Sequence, residues 1–522
     1  DPLVISAGAV DNFRLVAMDD GYRRYVSENM AALSSGGTAP SGKTVDLVAP
    51  GWYGGEAACA DGSGGCPASY PTESMRGTSE AAPLIAGAAA DVIQAYRDTH
   101  HGASPTPAVV KEILTGTATD ISAPVDQQGS GLLNVYAAVK AAQQMPGGTA
   151  GGGASALIAS PSQLDVSGDG GTTSSQSVSL YNAGGSAVAV TGSYRRIGRE
   201  FRIGKTVTEN VSAPDPSQPV PEAGATAASP VTFQVPRHLG RLDVDMIWPD
   251  PANSSTLQIQ LFNPSGALAQ ESYDDGSPAT ARRAGSIPNI QHIEVSAPQA
   301  GRWTARILWS GKDQDLALPP IAPGSYAGPM SFRVSGQDWV TRQATTRPVI
   351  IGAHASASVP LRVRFPAAPG DHPESVQFTG TAPHGHSAQQ AAASVPVARR
   401  TLIPSSGGTF RTLLTSTVGR SIGQVNTYDM TVPAGLSQLT VSFQTADVGA
   451  DNVIGYYLVD PAGNLVATGS TPDTAAGQVP GTVTLTAPDP VAGTWEIDVE
   501  LGVTVSGHEF TQTVHGTVSE TG

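Results

Sequence analysis

A change of hydrophobic period near residue 145 restricts the fold of this chain more than any other feature. Before it, apolar runs alternate with helical patterns: Leu3 to Val10 and Val45 to Ala49 read as strands, and Glu80 to Tyr96, Pro107 to Thr117 and Leu132 to Gln143 read as helices. The second helix has a clear start, with Thr106 as N-cap and Pro107 at its first position. After the change, the period is two. Ser177-Val-Ser-Leu-Tyr, Thr256-Leu-Gln-Ile-Gln-Leu and Ser358-Val-Pro-Leu-Arg-Val-Arg-Phe are separated by Gly, Pro, Asn and Asp turns. Residues 145–156, glycine-rich, read as a linker. The expected architecture is an α/β segment over residues 1–144 followed by all-β sandwiches. At about 100–200 residues per domain, 522 residues allow three or four domains.

The β part repeats itself. At an offset of 197, Val235-Pro236, Leu239, Leu242 and Asn263-Pro264-Ser265-Gly266 match Val432-Pro433, Leu436, Leu439 and Asp460-Pro461-Ala462-Gly463. Ala297-Pro298 to Trp303 then matches Ala487-Pro488 to Trp495 at a slightly shorter offset. A repeat of about 100 residues is a domain rather than a solenoid unit. One copy lies near 226–310 and the second within 401–522. The first is embedded in residues 157–400, whose outer parts, Leu157 to Gly192 and Val349 to Asp371, read as the two halves of an immunoglobulin-like sandwich.

Charge and hydropathy exclude whole classes of partner. The formal net charge is −15, spread along the chain, which argues against nucleic acid or an anionic membrane surface. The longest uncharged apolar run, Ala81 to Ala90, is about half of the roughly 20 residues that a spanning helix needs. Cys59 and Cys66 bracket a Gly-rich loop whose length permits a disulfide, with free thiols as the alternative. A metal clip there fails, because no His precedes His100 to complete the ligand set. The chain opens on Asp1 in an apolar run without an initiating Met or signal peptide, so the sequence reads as a fragment.

The segment that carries chemistry is Arg76-Gly77-Thr78-Ser79-Glu80-Ala81-Ala82-Pro83. Here Gly77 is expected to allow close backbone approach and Thr78 to cap the helix. Ser79 then stands in the first turn, where unpaired N–H groups and the helix dipole favour negative charge. A nucleophilic hydroxyl beside a backbone N–H that faces the developing oxyanion is what acyl transfer requires. The plain alternative is an ordinary N-cap.

Gly77-Thr78-Ser79-Glu80-Ala81-Ala82-Pro83 followed by Ala86-Gly87 closely resembles the nucleophile motif of the subtilisin-like serine peptidases. Upstream, Val4 to Asp11, Ser34 to Gly37 and Val45 to Gly51 resemble segments that precede the nucleophile in that family. Downstream, Pro107 to Ala118 and Gly129 to Val139 are similar to its two closing helices. The resemblance covers residues 1–144. It departs from the family pattern at Glu80, at Leu84-Ile85, and in an insertion-like stretch from Phe13 to Val26. It implies a secreted, extracellular endopeptidase that cleaves protein or peptide substrates through an acyl-enzyme on Ser79. The Asp, the His and the oxyanion Asn are then expected before residue 1, and residues 1–522 alone are expected to be inactive. His100, His384, His386 and His515 all follow Ser79, and Asp20 reads as a turn residue, so none replaces the missing base or its partner.

The tail resembles the multi-sandwich extensions of large secreted subtilases, and its repeated module resembles pre-peptidase C-terminal sandwiches, which are jelly-roll-like. A competing reading is a catalytically dead surface- or matrix-binding protein. In that case Trp248, Trp303, Trp309 and Trp495 would stack on sugars, although the repeat position of Trp303 and Trp495 favours the core. No cofactor is expected. Structural calcium is conceivable at Asp61 or at Asp274-Asp275, which lack a regular ligand spacing and read better as turns.

Overall fold

The computed structural model describes residues 3–12, 24–26, 28–52, 55–58, 72–75, 77–148, 156–212, 226–249, 257–272, 290–309, 326–383, 391–415, 424–445, 454–471, 482–501 and 510–521, with backbone alone at 55–58 and 72–75. Among the described residues, strands dominate and the helices are confined to the first 144 positions. No helix among the described residues is long and apolar enough to cross a membrane.

The N-terminal part holds two parallel strands, Ala7–Asp11 and Leu47–Trp52, covered by the helix Thr78–Thr99. That helix buries Ala81, Ile85, Ala88, Val92 and Ala95, one stripe at spacings of three and four. Pro107–Gly116 begins as the sequence predicts, with the Thr106 hydroxyl accepting from the Val109 N–H at 3.3 Å. The last helix is shorter than the Leu132 to Gln143 expected, running Val135–Ala142 with the Asn134 side chain as its cap. Leu132 and Leu133 instead hydrogen-bond to Thr119 and Val48 as extended backbone, after Gly129 and Gly131 at positive φ turn the chain.

The two copies of the repeat have the same strand order. In the first, one sheet runs Thr226–Val235, Gly301–Trp309, Leu257–Phe262, Leu268–Glu271. The facing strands are Val207–Val211, Gly328–Gln343, Leu239–Ile247 and Ile290–Ser296. The second copy has Val425–Val432, Gly493–Leu501, Ile454–Val459, Leu465–Ser470 in one sheet and Gly408–Thr415, Thr511–Thr521, Gln438–Thr445, Val483–Pro488 in the other. Each copy closes around an apolar core, and that of the second also takes in Ile247 and Ile290 from strands of the first. The first sandwich draws on strands outside the 226–310 stretch in which its sequence signal lies.

Repeat glycines behave alike. Gly301 and Gly493 have φ of 134° and 142°, and a Cβ on either would meet the ring of Pro264 or Pro461 at 2.8 Å.

The immunoglobulin-like part combines the sheet Ser356–Arg364, Thr173–Asn182, Leu157–Ser160 with strands Val188–Ile197, Glu374–Thr381 and Ala391–Leu402. Both halves meet in one core that holds Val178, Val190, Val359 and Val376. The long strand Gly328–Gln343 leaves the first sandwich and pairs through Trp339–Gln343 with Val188–Ile197, which makes the embedding continuous.

Candidate active site around Ser79

The site is built from the end of one strand and the start of one helix. The Gly77 N–H donates to the Gly51 carbonyl at 2.7 Å, which fastens the helix to the strand Leu47–Trp52. Gly77 itself is the N-cap, with φ 106° and ψ 173° and no side-chain cap. Thr78 is therefore the first helical residue and not the cap, because the backbone turn that a side chain would otherwise stabilise is made by a conformation open to glycine. Close approach is required at Gly51 rather than at Gly77: a Cβ on Gly51 would lie 2.6 Å from the Ala9 Cβ and 2.7 Å from the Gly77 carbonyl oxygen.

Ser79 is exposed in the first turn. The Gly77 carbonyl accepts from the Glu80 N–H at 2.9 Å, while among the described residues the Ser79 N–H has no acceptor. An unpaired N–H beside an accessible hydroxyl at the positive end of a 22-residue helix suits a developing oxyanion. Pro83 lacks the N–H that would bond the Ser79 carbonyl, and it sits exposed on the helix surface. Glu80 points inward, buried, with neither carboxylate oxygen hydrogen-bonded. Its burial raises its pKa above the ordinary carboxylate value.

A buried ion pair supports the strand behind the site. The Lys111 ammonium lies 2.7 Å from one Asp46 oxygen, and the other Asp46 oxygen accepts from the Ser6 N–H at 2.8 Å. Sequence reading missed this pair, although Asp46 immediately precedes the apolar start of the strand Leu47–Trp52.

Among the described residues, no imidazole hydrogen-bonds the Ser79 hydroxyl. His100 ends the helix as the sequence suggests, stacked on Tyr96 at 3.6 Å, with its ring nitrogens on the carbonyls of Tyr96 and Met145. His515 is exposed on the strand Thr511–Thr521 of the second sandwich. Asp20, His384 and His386 lie outside the described residues, as do Cys59, Cys66, Asp61, Asp274 and Asp275. Trp248, Trp303, Trp309 and Trp495 are all buried, so they present no ring face to a sugar. The Trp303 and Trp495 indole N–H groups donate to carbonyls four residues earlier, Gln299 and Val491, which is the same bond in both copies.

Asp243, His292 and Glu294 bring potential metal-ligand atoms within 4.8 Å of one another. The Arg241 guanidinium bonds both carboxylates, so the cation position is already filled. His292 lies 2.6 Å from Asp245 and 3.2 Å from Glu294, and Asp245 also holds Arg333. Alternating charges neutralise one another, and the cluster reads as an ion-pair network. Its outer edge reaches the N-terminal part, where the Gln127 amide donates to Glu294 at 2.7 Å.

Residues 2–137, a stretch that includes Ser79, match the family model described as Subtilase family. A search of curated proteins finds no match. Among solved structures, tripeptidyl peptidase 2 is similar over 99% of this chain and 43% of its own, at 11% identity and a TM-score of 0.22. The secreted serine protease VesC from Vibrio cholerae is similar over 68% and 48%, at 7% identity and a TM-score of 0.17. The chain thus spans less than half the length of either. Likenesses this low carry no argument about the fold, which rests on the strands and contacts described above.

Proposed function

We propose that this chain carries the nucleophile of a secreted serine endopeptidase of the subtilisin type. The observation that carries the reading is an exposed Ser79 whose N–H has no acceptor among the described residues, at the start of a long helix and inside the segment that matches the subtilase family. In the proposed reaction, the Ser79 Oγ attacks the scissile carbonyl carbon while its proton passes to a general base. The Ser79 N–H donates to the oxyanion. The C–N bond then breaks, the amine leaves with the proton, and water hydrolyses the resulting ester to free the acid and restore the hydroxyl.

The base, its carboxylate partner and the oxyanion Asn are assigned to none of residues 1–522, since every His in them follows Ser79 while the family order is Asp, His, Ser. By themselves these residues are proposed to be inactive, because loss of the base costs about as much rate as loss of the serine. Protein or peptide chains are the proposed substrates. An extracellular location accompanies this reading, together with a bridge between Cys59 and Cys66 that mass spectrometry of unreduced peptides would detect.

The test is covalent labelling. A fluorophosphonate should modify Ser79 in the full-length protein and leave the Ser79→Ala variant unlabelled and without casein hydrolysis. Labelling at a different serine would overturn the assignment. Uptake by residues 1–522 that is lost in Ser79→Ala would place the base among them.

A further inference from the structure

The two copies of the repeat differ at one edge. In the first copy, the strand Leu268–Glu271 pairs with Leu257–Phe262, with partners Phe262 and Leu268, Leu261 and Gln270, and Gln260 and Glu271. In the second, Leu465–Ser470 pairs with Ile454–Val459, with partners Val459 and Leu465, Leu458 and Ala467, and Tyr457 and Thr468. Every pair is displaced by 197 residues, the irregularity at Ala269 and Val466 included. Leu465 thus occupies the position of Leu268.

The first edge is occupied. The segment Arg24–Val26 lies beside Leu268 in a single parallel bridge centred on Tyr25: the Leu268 N–H donates to the Arg24 carbonyl at 3.1 Å, and the Val26 N–H to the Leu268 carbonyl at 2.8 Å. Arg24 reaches the Ser265 carbonyl at 3.0 Å, and Val26 packs on the core of the first sandwich. Leu268 is wholly buried, and Asn29, Met30 and Asp11 bond the same strand at Ala269 and Gln270. Leu465, by contrast, is 57% exposed and Val466 42% exposed. The strand Leu-Val-Ala-Thr-Gly-Ser carries no charge, Pro or Lys of the kind that guards a sheet edge.

We propose that the edge strand Leu465–Ser470 takes up an extended segment of a partner polypeptide alongside Leu465 in parallel orientation, through the pair of main-chain bonds by which its repeat copy holds Arg24–Val26. The equal register puts the Leu465 N–H and C=O where Leu268 offers its own, so main-chain bonding comes first and side chains select. The ligand that fits has a basic residue, an aromatic residue and a β-branched residue in order. Its basic side chain meets the Ala462 carbonyl, the counterpart of Ser265, and the β-branched one covers the exposed leucine. A basic segment also suits a protein of net charge −15.

The experiment uses the 522-residue chain and a fluorescent peptide of the sequence Tyr-Arg-Arg-Tyr-Val-Ser-Glu, residues 22–28 of this protein. Fluorescence anisotropy should show saturable binding at one site. N-methylation of the valine amide should weaken it at least tenfold, and so should Leu465→Lys combined with Val466→Lys, with an unchanged thermal melt. The N-methyl peptide tests the edge bond without altering the protein. Absence of saturable binding, or binding indifferent to both changes, would overturn the proposal. So would a sedimenting dimer that the double variant returns to monomer, since a second copy would then own the edge.

Discussion

The Arg400 guanidinium contacts the Asp429 carboxylate at 3.1 Å and ties three parts of the chain together. Arg400 lies on the strand Ala391–Leu402 and also bonds Asp371 at 2.7 Å. It donates as well to the carbonyls of Ala39 and Pro40, which belong to the N-terminal part. Burial alone would lower its pKa, but Asp371 and Asp429 outweigh this and hold the guanidinium charged. Arg400→Met should therefore leave two carboxylates without their cation, at a cost of about 3–5 kcal/mol. Calorimetry should show the second sandwich melting separately at lower temperature. An unchanged single transition would show that the junction contributes no coupling.

The network around His292 makes stability depend on pH in a direction that can be worked out. Burial alone would lower the imidazole pKa; Asp245, with Glu294 behind it, overrides this and raises it to about 10 from an ordinary 6.5. Arg241, Arg333, Asp243 and Asp126 complete the charged surroundings. Because the folded pKa is raised, the contribution is full below about pH 6.5 and is lost as pH rises toward 10, at no more than about 1.4 kcal/mol per pH unit. Urea unfolding of the first sandwich between pH 6 and 9.5 should show this decline, and His292→Gln should flatten it. An equal slope in the variant would assign the decline to other groups.

What the sequence discloses here is what neighbours in sequence determine. The Thr106 cap, the buried stripe of the Ser79 helix and the matched strands of the repeat are set within a few turns or by direct self-comparison. Thr78 has the right chemistry for a cap, but the deciding quantity is a backbone dihedral, which makes Gly77 the N-cap. The helix predicted from Leu132 starts at Val135 because two glycines and the Thr119 and Val48 backbones claim the preceding residues. Contacts such as Arg400 to Pro40 or Gln270 to Asp11 join residues 360 and 259 positions apart. No local pattern encodes them. The insertion-like stretch ending at Val26 is legible as extra chain, but its seat on Leu268 is not.

Glu80 departs from the family pattern at a position where the structure offers its carboxylate no hydrogen bond. Helix-dipole attraction in the first turn offsets part of that cost. Its raised pKa means that the folded state favours the protonated form, so stability is greatest at low pH and declines as pH rises above the ordinary value of 4.5. Glu80→Met should raise stability at neutral pH by about 1–3 kcal/mol and remove that part of the pH dependence. Glu80→Gln should remove the pH dependence with a smaller gain. Chemical denaturation at pH 5 and pH 8 measures both, and a destabilised methionine variant would reveal a role for the carboxylate that its surroundings do not show.

Gly77 offers the sharpest test of how the fold positions the candidate nucleophile. Its φ of 106° with ψ of 173° lies in a region that residues with a Cβ avoid. A methyl group there would meet nothing nearer than the Ser79 N at 3.5 Å, so space does not forbid alanine; the backbone conformation does. Gly77→Ala should cost about 1–3 kcal/mol if the turn is kept. If the turn relaxes instead, the 2.7 Å bond to the Gly51 carbonyl is lost and the first helical turn moves with Ser79 on it. Displacement of reacting groups by about 1 Å is worth roughly a hundredfold in rate. Full-length Gly77→Ala should therefore react with a fluorophosphonate about a hundred times more slowly than the parent, with the sandwich melts unaltered. Gly51→Ala, whose Cβ would strike the Gly77 carbonyl oxygen at 2.7 Å, should reproduce the defect through contact rather than dihedral strain. Parental labelling rates in both variants would mean that the strand-to-helix junction does not place the hydroxyl.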